Sequence, residues 1–92
     1  MAKVVVRRNM SPFGGARRIT VAIDRKVVCE LHAGGRFEMD IEPGWYGVEA
    51  EWARGKRSAS FDNKDGSPVE IVVGLPSMSL GKRPTISISV GE

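Results

Sequence analysis

Apolar and polar side chains alternate one by one along most of this chain, and that period of two constrains the fold more than any other feature. Ile19, Val21 and Ile23 alternate with Thr20 and Ala22; Phe37, Met39 and Ile41 alternate with Arg36, Glu38 and Asp40; Tyr46, Val48, Ala50 and Trp52 alternate with Gly47, Glu49 and Glu51. Val69, Ile71 and Val73 continue the pattern, as do Ile86, Ile88 and Val90. A pleated strand sends successive side chains to opposite faces, so each run is a ribbon with one apolar side. No stretch carries helical periodicity. Turn residues punctuate the runs: Pro12 with Gly14 and Gly15, Asp24 with Arg25, Gly34 and Gly35, Pro43 and Gly44, Arg54 and Gly55, Asp65 and Gly66, then Pro68. Strands spaced by roughly 8 to 12 residues read as a sandwich or barrel. The prediction is one all-β domain over residues 1–92, an antiparallel β-sandwich of seven or eight short strands, immunoglobulin-like or prealbumin-like in form. Residues 75–84 then connect to a terminal strand, 85–91.

Directly opposed residues on antiparallel neighbours share a face, which makes registers predictable. A loop over Glu42 to Trp45 sets Ile41 against Tyr46, Met39 against Val48 and Phe37 against Ala50. A turn at Arg54 and Gly55 sets Trp52 against Arg57, Ala50 against Ala59 and Val48 against Phe61, with the Arg57 stem across the Trp52 ring. For the first hairpin, a loop ending at Lys26 opposes Ile23 with Val27, Val21 with Cys29 and Ile19 with Leu31. A one-residue slip would turn that whole apolar set toward water, which outweighs the cost of about 1 kcal/mol for a left-handed Lys26. Cys29 then faces the core as a small hydrophobe.

Ile19 to Val28, with the Asp24 turn, and Ile41 to Ala50, with the Pro43-Gly44 turn launching the next strand, resemble the PEGA-type small β-domains over residues 18–74. Arg25 stands where such domains usually carry Gly, Cys29 where a small residue is common, and Trp45 is unusual after the turn. The resemblance implies a β-sandwich fold and an accessory interaction role without catalytic residues or a cofactor.

Chemistry-bearing constellations are sparse. His32 is the only His, and Cys29 lies three residues away, an odd spacing that sends the two to opposite faces of a strand and offers no metal centre. No serine is placed beside His32 as a nucleophile would require. The glycine doublets lack the spacing and the following helix of a phosphate loop. These patterns predict a non-enzyme with no cofactor and no metal. A 92-residue chain also buries only roughly 60 to 65% of its unfolded surface, enough for one core and little more.

Surfaces are more informative. The registers above place Glu38 opposite Glu49, with Asp40 along the same strand and Arg36 opposite Glu51, an acidic face open to a basic partner or to a hard cation such as Ca²⁺. Trp45 falls out of phase with the core residues around it and reads as an exposed interface anchor. The leading expectation is therefore a protein-interaction module using Trp45, Arg36, Glu38, Asp40, Glu49 and Glu51. A second reading draws on the net charge of +3 and the paired basic residues, with Arg7, Arg8, Arg17, Arg18, Lys82 and Arg83 attracting a polyanion or nucleic acid. Strand 85–91 is expected to fold back onto its own sheet; a third reading has it pairing with a second copy to make a homodimer or structural subunit. The apolar run Val4 to Val6 is too short for a secretory signal, and no window approaches the roughly 20 apolar residues that span a bilayer. The chain thus reads as cytoplasmic, without membrane insertion.

Overall fold

The computed structural model describes residues 1–9, 18–32, 34–52, 55–74 and 84–91. It contains β1 (Ala2–Arg8), β2 (Ile19–Ile23), β3 (Lys26–Leu31), β4 (Arg36–Ile41), β5 (Trp45–Trp52), β6 (Gly55–Asp62), β7 (Val69–Gly74) and β8 (Thr85–Val90), and among the described residues there is no helix. The strands form two four-stranded sheets, ordered β4-β1-β7-β8 and β3-β2-β5-β6. The β3 and β4 edges lie side by side at one seam, and the β6 and β8 edges at the other. The expected all-β sandwich is therefore what forms, with the upper expected strand number.

Alternation places the core as the sequence implied. Val4, Val6, Ile19, Val21, Val48, Ile71 and Val73 are fully buried, and Phe61, Ile23, Leu31, Ile41 and Val69 nearly so. Burying one such side chain contributes roughly 1.5–3 kcal/mol. Phe37, Met39, Ile86 and Ile88 are half-buried against this cluster from the edge strands. Tyr46 stacks on Phe61 at 5.5 Å between ring centroids.

Strand partners differ from expectation in three places. First, β4 does not form a hairpin with β5. Met39 opposes Val4 on β1, while Val48 opposes Ile23 on β2 and Ala59 on β6. Residues Glu42 to Gly44 carry the chain from one sheet to the other. The apolar face of β4 is satisfied equally by either neighbour, so alternation fixes which side is buried and leaves the partner open. Second, β5 and β6 pair two residues out of the expected register, with Trp52 opposite Gly55, Ala50 opposite Arg57 and Val48 opposite Ala59. A shift of two preserves the faces. Arg57 consequently turns its Nε to the Pro84 carbonyl, 2.8 Å away, on the neighbouring sheet. Third, β1 has no counterpart among the alternating runs read from the sequence, yet it is central to its sheet and runs parallel to β7, Val6 opposite Ile71. That pair makes the sheet mixed where an antiparallel one was expected.

The β2–β3 hairpin resolves its register conflict by a different device. Asp24 and Arg25 both have positive φ, 52° and 68°, the signature of a two-residue primed turn, so Ile23 opposes Lys26 and not the expected Val27, which lies opposite Ala22. An extra residue, Val28, then bulges, restoring Val21 opposite Cys29 and Ile19 opposite Leu31. The strain sits on Asp24 and Arg25, and Lys26 is free of it. Val28 and Cys29 pack toward the core and Val27 is left outward, 63% exposed. The connector from 75 to 83 lies outside the described residues; the terminal strand pairs with its own chain, Ile88 opposite Ile71.

Candidate functional site

The two outer faces carry the charged residues, and they are electrostatically unlike. On the β4-β1-β7-β8 face, Lys3 reaches Glu38 at 3.5 Å, Arg7 reaches Glu70 at 2.9 Å, and Arg36 also bonds Glu38. The hydrogen bond and charge of Arg36, with Lys3 behind it, hold the Glu38 carboxyl below its usual range. This face is largely self-neutralised.

The expected acidic cluster does not assemble. Glu38 opposes Val5 and Asp40 opposes Lys3, while Glu49 lies on the other sheet between Ala22 and Ser58. Arg36 opposes Arg7, and Glu51 opposes Thr20 and Lys56. The register that would have united these carboxylates depended on a β4–β5 hairpin that the chain does not make. Among the described residues, no group of acidic, His or Cys side chains is arranged to hold a metal ion.

The basic set also scatters. Arg8 ends the inward row of β1 and is only 2% exposed, its Nη1 donating to the Leu31 carbonyl at 2.8 Å, so it bridges the two sheets and is withheld from any surface ligand. Arg7 is engaged by Glu70, and Arg18 by Glu30 at 3.0 Å. Arg17, Lys82 and Arg83 fall outside the described residues. An arginine in a strand of valines reads as outward from sequence; only the count of inward positions, Ala2, Val4, Val6 and then Arg8, reveals it.

The outer face of β3-β2-β5-β6 is the more open surface. Along β5, Trp45, Gly47, Glu49 and Glu51 point outward, opposite Asp62, Ser60, Ser58 and Lys56 on β6. Trp45 is 65% exposed. Gly47 leaves a dent, and Asp24 leans over it: its Oδ1 accepts the Gly47 N–H and its own N–H donates to the Gly47 carbonyl, each at 2.8 Å. The result is a shallow cleft of about 180 Å³ lined by Asp24, Arg25, Gly47, Val48, Glu49, Ser58 and Ala59. Neither Glu49 nor Glu51 forms an ion pair among the described residues. Beyond Ala22, the exposed Val27 extends the surface. Of the expected binding residues, the fold thus brings together Trp45, Glu49 and Glu51 and sends Arg36, Glu38 and Asp40 to the opposite side. Val27 and the Asp24–Gly47 cleft were not read from sequence, because both follow from the bulge and from the β2–β5 pairing.

Among known proteins, no family model, curated sequence or solved structure matches the chain. The functional reading therefore starts from the site's geometry. No helix among the described residues is long and apolar enough to cross a membrane.

Proposed function

We propose that the chain is a non-catalytic protein-interaction module that receives its partner on the outer face of the β3-β2-β5-β6 sheet. The observation that carries this reading is the exposed Trp45 ring on a hydrogen-bonded strand beside carboxylates that have no ion partner among the described residues. A large aromatic presented on rigid backbone is a low-entropy anchor, and Glu49 and Glu51, neither in an ion pair among the described residues, favour a partner with basic groups beside an apolar contact. The resemblance to PEGA-type domains, with the accessory role it implies, supports the same reading.

The test is photo-crosslinking from Ser60, on the same face, in extract of the native host. Trp45→Ala and Glu49→Lys should each abolish the crosslinked species, while Arg36→Ala on the opposite face leaves it intact. Trp45→Ala should leave stability within about 0.5 kcal/mol, as for other exposed sites. Crosslinks indifferent to both face substitutions, or a melting temperature that collapses with Trp45→Ala, would overturn the proposal.

A further inference from the structure

Four strands end the two sheets, and three are defended by charge: β3 by Lys26 and Glu30, β4 by Arg36, Glu38 and Asp40, β6 by Lys56, Arg57 and Asp62. The fourth, β8, reads Thr-Ile-Ser-Ile-Ser-Val, with no charge, proline or glycine. Natural sheets avoid such edges because unpaired N–H and C=O groups template a further strand.

The direction of those groups follows from two hydrogen bonds. Gly91 N–H donates to the Pro68 carbonyl at 2.9 Å, so Gly91, Ser89, Ser87 and Thr85 turn their backbone groups toward β7. The alternate residues turn theirs away, and the Pro84 carbonyl does so, meeting Arg57 at 2.8 Å from the other side. Ile86, Ile88 and Val90 therefore turn their N–H and C=O groups away from β7, on the side where β6 lies across the seam but no described strand is hydrogen-bonded to them.

We propose that this edge is a self-association site, where two copies pair β8 antiparallel about a two-fold axis at Ile88. The inference concerns the seam and goes beyond the partner face assigned above. In that register Ile88 meets Ile88 of the second copy and Ile86 meets Val90, and every outward-turned N–H finds a carbonyl. Side chains match on both faces. Inward, Val90, 42% exposed in the single chain, is covered by the other copy's Ile86. Outward, Ser87 lies against Ser89 and Thr85 against Gly91, with no charge opposed to its like. The segment 85–91 is thus its own complement when reversed, which a foreign strand need not be, and this favours a second copy as the occupant. Arg57 holds the Pro84 carbonyl and marks where the pairing ends. The product is one continuous eight-stranded sheet, joined through an isologous interface. A single strand pair is smaller than the roughly 800 Å² per partner of standard interfaces, so the dimer is weak and concentration-dependent.

The experiment is sedimentation equilibrium from about 10 μM to about 1 mM, combined with amide exchange by NMR on the full chain. The mass should rise from 10.0 kDa toward twice that value. Over the same range the amides of Ile86, Ile88 and Val90 should gain protection, while those of Ser87 and Ser89 stay protected throughout. The variant Ser87→Lys/Ser89→Lys changes only exposed positions, one of them opposite Glu70, and sets lysine against lysine across the two-fold. It should weaken association about tenfold or more with the monomer's melting temperature unchanged. A strict monomer at about 1 mM, a dimer unaffected by the lysines, or protection that appears elsewhere would each overturn the proposal.

Discussion

The β2–β3 turn stores strain that one substitution should release. Arg25 sits at φ 68°, a left-handed conformation that costs an L-residue with a Cβ roughly 1–2 kcal/mol. Asp24, at φ 52°, tolerates the same region better and is held by its bonds to Gly47, so Arg25 is the position to change. Arg25→Gly removes the Cβ penalty and creates the Asp-Gly pair that primed turns favour. Against this, glycine adds unfolded-state entropy worth about 0.4–1 kcal/mol. The balance is a gain of about 0.5–1 kcal/mol. With about 2.1 cal/mol/K of unfolding entropy per residue, 92 residues give about 0.2 kcal/mol/K, so the melting temperature should rise by about 3–5 °C. Arg25→Ala is the control: it removes the same exposed side chain and keeps the strain, so it should give no rise. Thermal melts followed by circular dichroism and urea midpoints read both variants. If Arg25→Gly is no more stable than Arg25→Ala, the turn does not hold a left-handed residue there, and the bulge at Val28 that follows from it is also wrong.

Two other perturbations probe the interior. Arg8→Ala should cost about 3 kcal/mol, since it strands the Leu31 carbonyl and opens the end of the sandwich, whereas Arg8→Met, which keeps the stem, should cost less; urea unfolding separates them. Burial pushes the Cys29 thiol up to about 11, so the folded state prefers the protonated form: stability is unaffected below the ordinary thiol value of 9.0 and falls as pH climbs from there toward 11. Unfolding free energies at pH 8 and pH 10.5 should therefore diverge more for the native chain than for Cys29→Ala, and a thiol reagent at pH 8 should react faster once the chain is unfolded; equal pH slopes would refute the assignment.

Much of the core is legible in the sequence because facing is a local property. Two residues on one strand fix which side is buried, so the inward facing of Ile19, Val21, Cys29 and Leu31 follows from alternation, while their pairing also needs the short turn at Asp24 and Arg25 and the bulge at Val28. The choice of neighbour is not local. Met39 would bury as well against Val48 as against Val4, and only closure of the whole sandwich selects β1. The register of β5 on β6 slips by two for a related reason: the slip conserves every face, so the apolar pattern cannot detect it. Arg8 shows the reverse failure. Its inward position is plain from the spacing of Ala2, Val4 and Val6, but its charge argues for water, and the Leu31 carbonyl that makes burial tolerable comes from a strand in the other sheet.

The same non-local choice decides which surface is left open for a partner. Because β1 is inserted between β4 and β7, its outward Lys3 and Arg7 reach Glu38 and Glu70 on either side and neutralise that face. In the other sheet β5 lies between β2, whose outward Thr20 and Ala22 are uncharged, and β6, which sets Ser58 opposite Glu49 and Lys56 opposite Glu51 without an ion pair forming. Nothing in the composition of β5 distinguishes its carboxylates from those of β4; the difference is made by the neighbouring strands, which set no basic residue opposite Glu49 and only Lys56 opposite Glu51. A basic side chain placed on β2 should therefore mimic what a partner supplies. Thr20→Lys, facing Glu51, would make this face resemble the neutralised one, and under the proposed function it should compete with partner binding even though Trp45 is untouched.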